Sequence, residues 1–319
     1  MAGPGGRTNP ATGAHGDIAL GGATARCDGR HLTRTFGRLS RRRLVTMKAW
    51  HSQDRHVVRL DWGAGPAHAL TRYAVSAGSP VCAVVVDVLS FTTCVSVAAD
   101  AGTRVHPFRW KDESAQAFAD ARGATLARPR SATRDDGGVS LSPSSIRAAG
   151  TIGELVLPSP NGSTVSAVLT EAGADVVAAS LRNRTAVATW LVEWLESSRG
   201  SQGLAAGPAI VLVPAGERWP DGSLRPAVED LWGAGAVVAA LTGRLEHRAG
   251  PLLLSPEAEA AGTAWLAVED RLGEALQACA SGRELVEQGW AADVAVAAEL
   301  DTSEVVPVLT DGVYAAHRS

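Results

Sequence analysis

Four short apolar runs in this chain each end at groups able to do chemistry. Asp87 follows VCAVVV, Asn161 follows ELVL across a Pro-Ser-Pro turn, Arg182 and Asn183 follow DVVAA, and Glu217 and Arg218 follow AIVLVP. Such runs, rich in β-branched residues, read as buried strands. In α/β proteins ligands gather at the carboxyl ends of strands, so the four ends outline one crevice. Another acidic pair, Glu229-Asp230, stands in a helix opened by Arg225-Pro226. Acids in a first turn suit the positive end of the helix dipole. Adjacent carboxylates equally suit Mg2+, which takes oxygen ligands and keeps several waters. Asp87 also has two roles open: a cap for the turn and helix that follow, or a working carboxylate at a central strand end. Oxygen ligands, glycine and hydroxyl donors, and arginines together suit metal-assisted handling of a phosphate or carboxylate.

Other chemistries lack their residues. No G-x-S-x-G elbow, P-loop, G-x-G-x-x-G or H-E-x-x-H is present, nor is there an obvious Ser-His-Asp set. Asp87-Val88-Leu89 lacks the second aspartate of a D-x-D phosphatase.

The positioning elements are centred on 81–102. There a strand, the turn Ser90-Phe91-Thr92-Thr93 and a helix to Asp100 close at Ala101-Gly102, with glycine in the left-handed position. Strands are expected at 56–62, 104–108, 154–157, 175–179 and 209–213, with an edge strand at 305–309. Helices are expected at 67–74, 112–121, 165–171 and 185–196, from 225 to 241, and over 256–279. Ser281 and Glu284 have the spacing of a capping box. Residues 125–150, polar and holding Arg128-Pro129-Arg130, read as a long functional loop. The recurrence of ADAGTRV and EAGADVV fits successive β-α-β units. These elements predict a layered α/β/α fold with a mixed, mostly parallel sheet and two lobes, 47–200 and 201–319, sharing the crevice.

Composition narrows the rest. The chain has 319 residues, 45% of them apolar, and a net charge of −3, enough for a large core and without the basic excess of a nucleic-acid or membrane-surface protein. Cys27, Cys82, Cys94 and Cys279 form no C-x-x-C pair, which predicts a reduced, cytoplasmic protein without zinc. No apolar stretch is long enough to span a bilayer. Residues 1–46 are glycine- and arginine-rich without apolar periodicity and read as a disordered or non-native arm, with Met47 as an alternative start. The segment after Arg41-Arg42-Arg43 lacks the apolar region of an export signal. A homodimer is the default expectation for a soluble assembly.

Five stretches in order carry a family resemblance: VVVDVLSFTT (84–93), SPNGST (159–164), ASLRNRTAVA (179–188), AGERWPDGSLRPAVEDLWGAGAVV (215–238) and CASGRELVEQGWAADV (279–294). The chain resembles the 2-phosphosulfolactate phosphatase family from about residue 56 to 314. The resemblance implies an α/β fold and a Mg2+-dependent phosphatase that releases phosphate from a small anionic ester, as in coenzyme M synthesis. On that reading Asp87, Glu229 and Asp230 hold Mg2+, and Asp87, Asn161 and Glu217 are catalytic. Thr92, Thr93, Gly162, Ser163, Arg182, Asn183 and Arg218 then contact the substrate.

The chain departs from the family pattern where arginine follows Asp-Val-Leu and Asn-Gly-Thr; Ser90 and Thr164 stand there instead. Arg128, Arg130, Arg182 or Arg218 is expected to compensate, with the substrate altered. Two other readings stay open: a different hydrolase or lyase acting on a carboxylate, and a non-catalytic small-molecule binder.

Overall fold

The computed structural model describes residues 48–109, 113–133, 138–199, 206–245 and 253–318. The arm at 1–46 and Met47 lie outside the described residues. Strands are β1 (Val58–Leu60), β2 (Val81–Val86), β3 (Arg104–Phe108), β4 (Thr125–Leu126), β5 (Glu154–Pro158), β6 (Asp175–Ala179), β7 (Ala209–Pro214), β8 (Glu217–Arg218), β9 (Leu224–Arg225), β10 (Val306–Thr310) and β11 (Val313–His317). Helices are α1 (Ala64–Ser76), α2 (Phe91–Asp100), α3 (Glu113–Asp120), α4 (Pro143–Ala149), α5 (Gly162–Glu171) and α6 (Arg184–Arg199). After them come α7 (Val228–Leu245), α8 (Pro256–Leu266), α9 (Leu272–Ala278), α10 (Ala280–Glu287) and α11 (Ala291–Ala297).

One nine-stranded sheet has the order β1-β7-β2-β6-β10-β11-β3-β5-β4. β2 lies at its working centre, parallel to β7 from Val81↔Ala209 to Val86↔Pro214 and to β6 from Cys82↔Asp175 to Val86↔Ala179. These registers bring the carboxyl ends of three strands level. β3, β5 and β4 form a second parallel block, and the antiparallel hairpin β10–β11 joins the two. The sheet is therefore mixed and mostly parallel, as expected.

Every residue of β2 is buried. Cys82, Val84 and Val86 enter one core with Leu191 of α6, Val237 of α7 and Trp265 of α8. Val81, Ala83 and Val85 enter the other, with Leu70 of α1, Val95 of α2 and Leu169 of α5. Two covered faces explain an unbroken apolar strand and give the α/β/α layers. Gly235 permits the close crossing of α7 and α8: a Cβ there would lie 1.9 Å from the Ala261 carbonyl oxygen.

Several boundaries differ from expectation. The strand expected at the edge, 305–309, is interior, because Asp311-Gly312 (φ 51° and 78°) turns the chain into β11. The polar stretch 125–150 contains β4 and α4, whose N-cap Ser142 accepts from Ser145 N. Arg225 belongs to β9, pairing with Glu217 of β8, and α7 begins at Val228. The helical run 256–279 breaks into α8 and α9. Cys279 caps α10, its sulfur accepting from Gly282 N, and Ser281 lies inside that helix. Among the described residues no helix is long and apolar enough to cross a membrane. Cys82, Cys94 and Cys279 are buried free thiols.

Candidate active site

Asp87 is the organising side chain. Its Oδ1 accepts from Phe91 N and its Oδ2 from Gly162 N, each at 3.0 Å. These are the first N–H groups of α2 and α5, so one carboxylate caps two helices. Of the two roles open to Asp87, the structure shows the capping one, and for two helices at once. The consequence is that neither N-cap residue caps its own helix: the side chains of Ser90 and Asn161 make no cap bond. Both are released to face other groups. Gly162 is required by the close approach, since a Cβ there would stand 2.2 Å from the Phe91 ring and 2.8 Å from Asp87 Oδ2. Although β5 belongs to the oppositely directed block, the loop after β5 meets the loop after β2 through the Gly162–Asp87 bond.

Carboxylates gather around Asp87. Asp230 accepts from Val88 N at 2.7 Å and from Gly216 N at 2.9 Å, tying the ends of β2 and β7 to α7. Glu217 accepts from Asn161 Nδ2 at 2.8 Å, placing a half-buried acid and amide beside each other. Glu229 is 2% exposed, and its Oε2 has no hydrogen-bond partner among the described residues.

Protonation follows this crowding. Burial pushes Asp87 up to about 6, helped by Glu229 and opposed by the two N–H donors and Arg130. Burial, then the charge of Asp87, pushes Glu217 up to about 7, against Asn161 and Arg225. Asp230 is pushed well above the carboxylate range by burial, Asp87 and Glu229. The Cys279 thiol is pushed up to about 12 by burial first and Glu229 second. Among the described residues, no three His, Cys, Asp or Glu side chains form a ready-made metal cage. Asp87, Glu229 and Asp230 are neighbours in charge without forming a closed set of three ligands.

Arg130 is the basic member. It donates Nη2 to Ser90 Oγ at 2.7 Å and Nε to Asp293 Oδ2 at 2.8 Å. The wholly buried Asp293 also accepts through Oδ1 from the hydroxyls of Ser142 and Ser144, both at 2.6 Å. A guanidinium thus reaches Ser90 from a distant segment. The other arginines are placed differently. Arg182 donates to Ser96 and Glu299 and pairs with Asp100, so it braces α2. Arg218 is exposed and donates to the Gly222 and Pro160 carbonyls. Arg128 bridges to Ser140 on a cavity wall.

The remaining candidate residues are held by the protein itself. Asn183 is wholly buried, accepting from Ser180 and donating to the Ala178 and Val305 carbonyls. Thr92 Oγ1 donates to the Asp87 carbonyl, Thr93 Oγ1 to the Val88 carbonyl and Ser163 Oγ to the Leu157 carbonyl. Their hydroxyls shape the loops. The structure therefore joins Asp87, Asn161, Gly162, Glu217, Glu229, Asp230 and Arg130, and commits Arg182, Asn183, Thr92, Thr93 and Ser163 to bracing. Asp293 lies within the family-resembling stretch 279–294, but its alanine-rich surroundings do not mark it as the partner of Arg130.

Fold and site define an α/β protein with carboxylates gathered near the ends of β2 and β7, within reach of the charges of Arg130 and Arg225. Residues 70–312 match the family model for 2-phosphosulpholactate phosphatase, and the chain belongs to that family. Among curated proteins no significant match is found.

Proposed function

We propose that this protein is a Mg2+-dependent phosphatase that cleaves a small acidic phosphoester, 2-phosphosulfolactate or a related 2-phospho acid, to the hydroxy acid and phosphate. Family membership supports the phosphatase class. The observation that carries the metal is Glu229 Oε2, buried without a hydrogen-bond partner among the described residues and close enough for its charge to act on Asp87. A buried polar atom left unpaired costs about 1–3 kcal/mol, and more when charged. A divalent cation removes that cost and the mutual repulsion of the acids together.

The donor chemistry fits Mg2+, which is commonly held by one or two carboxylates plus waters and substrate phosphate rather than by a full protein cage. Glu229 and Asp87 are the residues that would hold it, with Asp230 fixing the two loops. When bound, the ion would polarise a phosphoryl oxygen and lower the charge repulsion facing a nucleophile. The chain's own residues supply the rest. In hydrolysis a bond forms from water oxygen to phosphorus, and the bond from phosphorus to the ester oxygen breaks. The leaving oxygen needs a proton. Burial first, then the charge of Asp87, raises Glu217 above the ordinary carboxylate range, which suits it to carry that proton. The proton lost by water departs with phosphate or solvent. Asn161 orients the Glu217 carboxyl, and Arg130 offers positive charge to the anionic substrate.

Calorimetric titration with Mg2+, wild type beside Glu229→Gln, tests the metal assignment. Binding in wild type that weakens at least tenfold in the variant is expected. Equal binding by both proteins would contradict it.

A further inference from the structure

A cavity of about 650 Å3 adjoins the site through Arg130. Arg130 lines it while its Nη2 holds Ser90, three residues beyond Asp87. Pro158, three residues before Asn161, lines it as well. Leu126, Ala127, Leu141 and Trp290 form an apolar part of the remaining wall, and Arg128 and Glu287 a charged part. Concave, partly apolar and walled by a few placed polar groups, it has the character of a small-molecule pocket, for which about 300–1,000 Å3 is usual. A three-carbon acid would leave most of it to water. Arg130 also keeps donor capacity, because its described hydrogen bonds use Nε and Nη2 only.

We infer that this cavity receives the organic part of the substrate, and that the preferred substrate is an O-phosphorylated 2-hydroxy acid with an apolar side chain larger than a methyl group. This rests on the phosphatase reading given above. The acid group meets Arg130, the side chain lies against Leu126, Leu141 and Trp290, and the phosphoester faces Asp87 and Glu217. The covalent step is the hydrolysis already described and needs no further reactant. Burying each added methylene strengthens binding roughly fourfold. A benzyl side chain should therefore exceed a methyl by well over tenfold.

The test compares phospholactate with its 2-phospho-3-phenylpropanoate analogue as substrates. The two corresponding free hydroxy acids are compared as ligands by calorimetry. Both series are run on wild type and on Gln288→Trp, which fills the cavity from its exposed rim. The expected result is a kcat/KM ratio of at least ten in favour of the phenyl ester, carried by KM, and a several-fold smaller ratio in Gln288→Trp. Hydrolysis of both esters with no size preference, and hydroxy-acid binding independent of size, would overturn the inference while leaving the phosphatase reading intact. If neither ester is hydrolysed but the phenyl hydroxy acid binds more tightly and loses that advantage in Gln288→Trp, the pocket assignment is upheld and the phosphatase reading fails. If neither is hydrolysed and the two acids bind alike, both fail.

Discussion

Asp87 and Glu217 hold protons that ordinary carboxylates release near pH 4. Their folded values, about 6 and about 7, lie above those of the unfolded chain. The metal-free protein thus binds more protons than the unfolded chain between pH 4 and 7. The stability from these two groups is complete below pH 4 and is lost as pH rises through about 6 and then about 7. Urea unfolding in EDTA should give a lower midpoint at pH 8 than at pH 5, and Glu217→Gln should remove the upper part of that decline. A wild-type midpoint that the Glu217→Gln change leaves with the same pH dependence would contradict the assignment. What the sequence reveals at this scale is uneven. Asp87 stands out because it interrupts an apolar strand, and Glu217 because it follows one. The approach of Arg130 to Ser90 is a pairing between distant segments that no local pattern encodes, and none marks Glu229 Oε2 as lacking a hydrogen-bond partner among the described residues.

At the scale of elements, two helices beginning at one carboxylate make the loops after β2 and β5 a single unit. Gly162→Ala places a methyl group against Phe91 and Asp87. It should cost about 1–3 kcal/mol, the usual range for overpacking, and lower turnover by disturbing both caps. Denaturant unfolding of that variant, with an unchanged midpoint, would show that α5 does not depend on the close approach. Asp293 joins α11, the start of α4 and Arg130. Removing its charge by Asp293→Asn should destabilise the protein by about 2–3 kcal/mol, below the range for a fully buried pair because Arg130 is 19% exposed. A melting curve unchanged from wild type would contradict this. Elements with one strong local signal were legible: β2, β3 and β6 lie where expected, and α2 ends at its glycine but begins at Phe91, inside the stretch read as a turn. The β10–β11 hairpin shows the limit. Its Asp311-Gly312 turn is a strong local signal, but the short, half-polar strand beyond it resembles a terminal tail.

For the whole molecule, apolar runs covered on both faces dictate the layered sheet, and that much follows from composition and period. The order of nine strands does not, because two parallel blocks of opposite direction are joined by the last hairpin in the chain. Site and family meet in this arrangement: the level ends of β2 and β7, the start of α7 and the loop after β5 hold the acids. The central claim is that this enclosure hydrolyses phosphoesters with Mg2+. The most direct measurement is phosphate release from 2-phosphosulfolactate and a panel of 2-phospho acids, with Mg2+ and with EDTA, for wild type beside Asp87→Asn. Turnover that requires Mg2+ and falls at least a hundredfold in Asp87→Asn is predicted. Folded wild-type protein that binds Mg2+ but releases no phosphate from any ester, or an Asp87→Asn variant with full activity, would contradict the account.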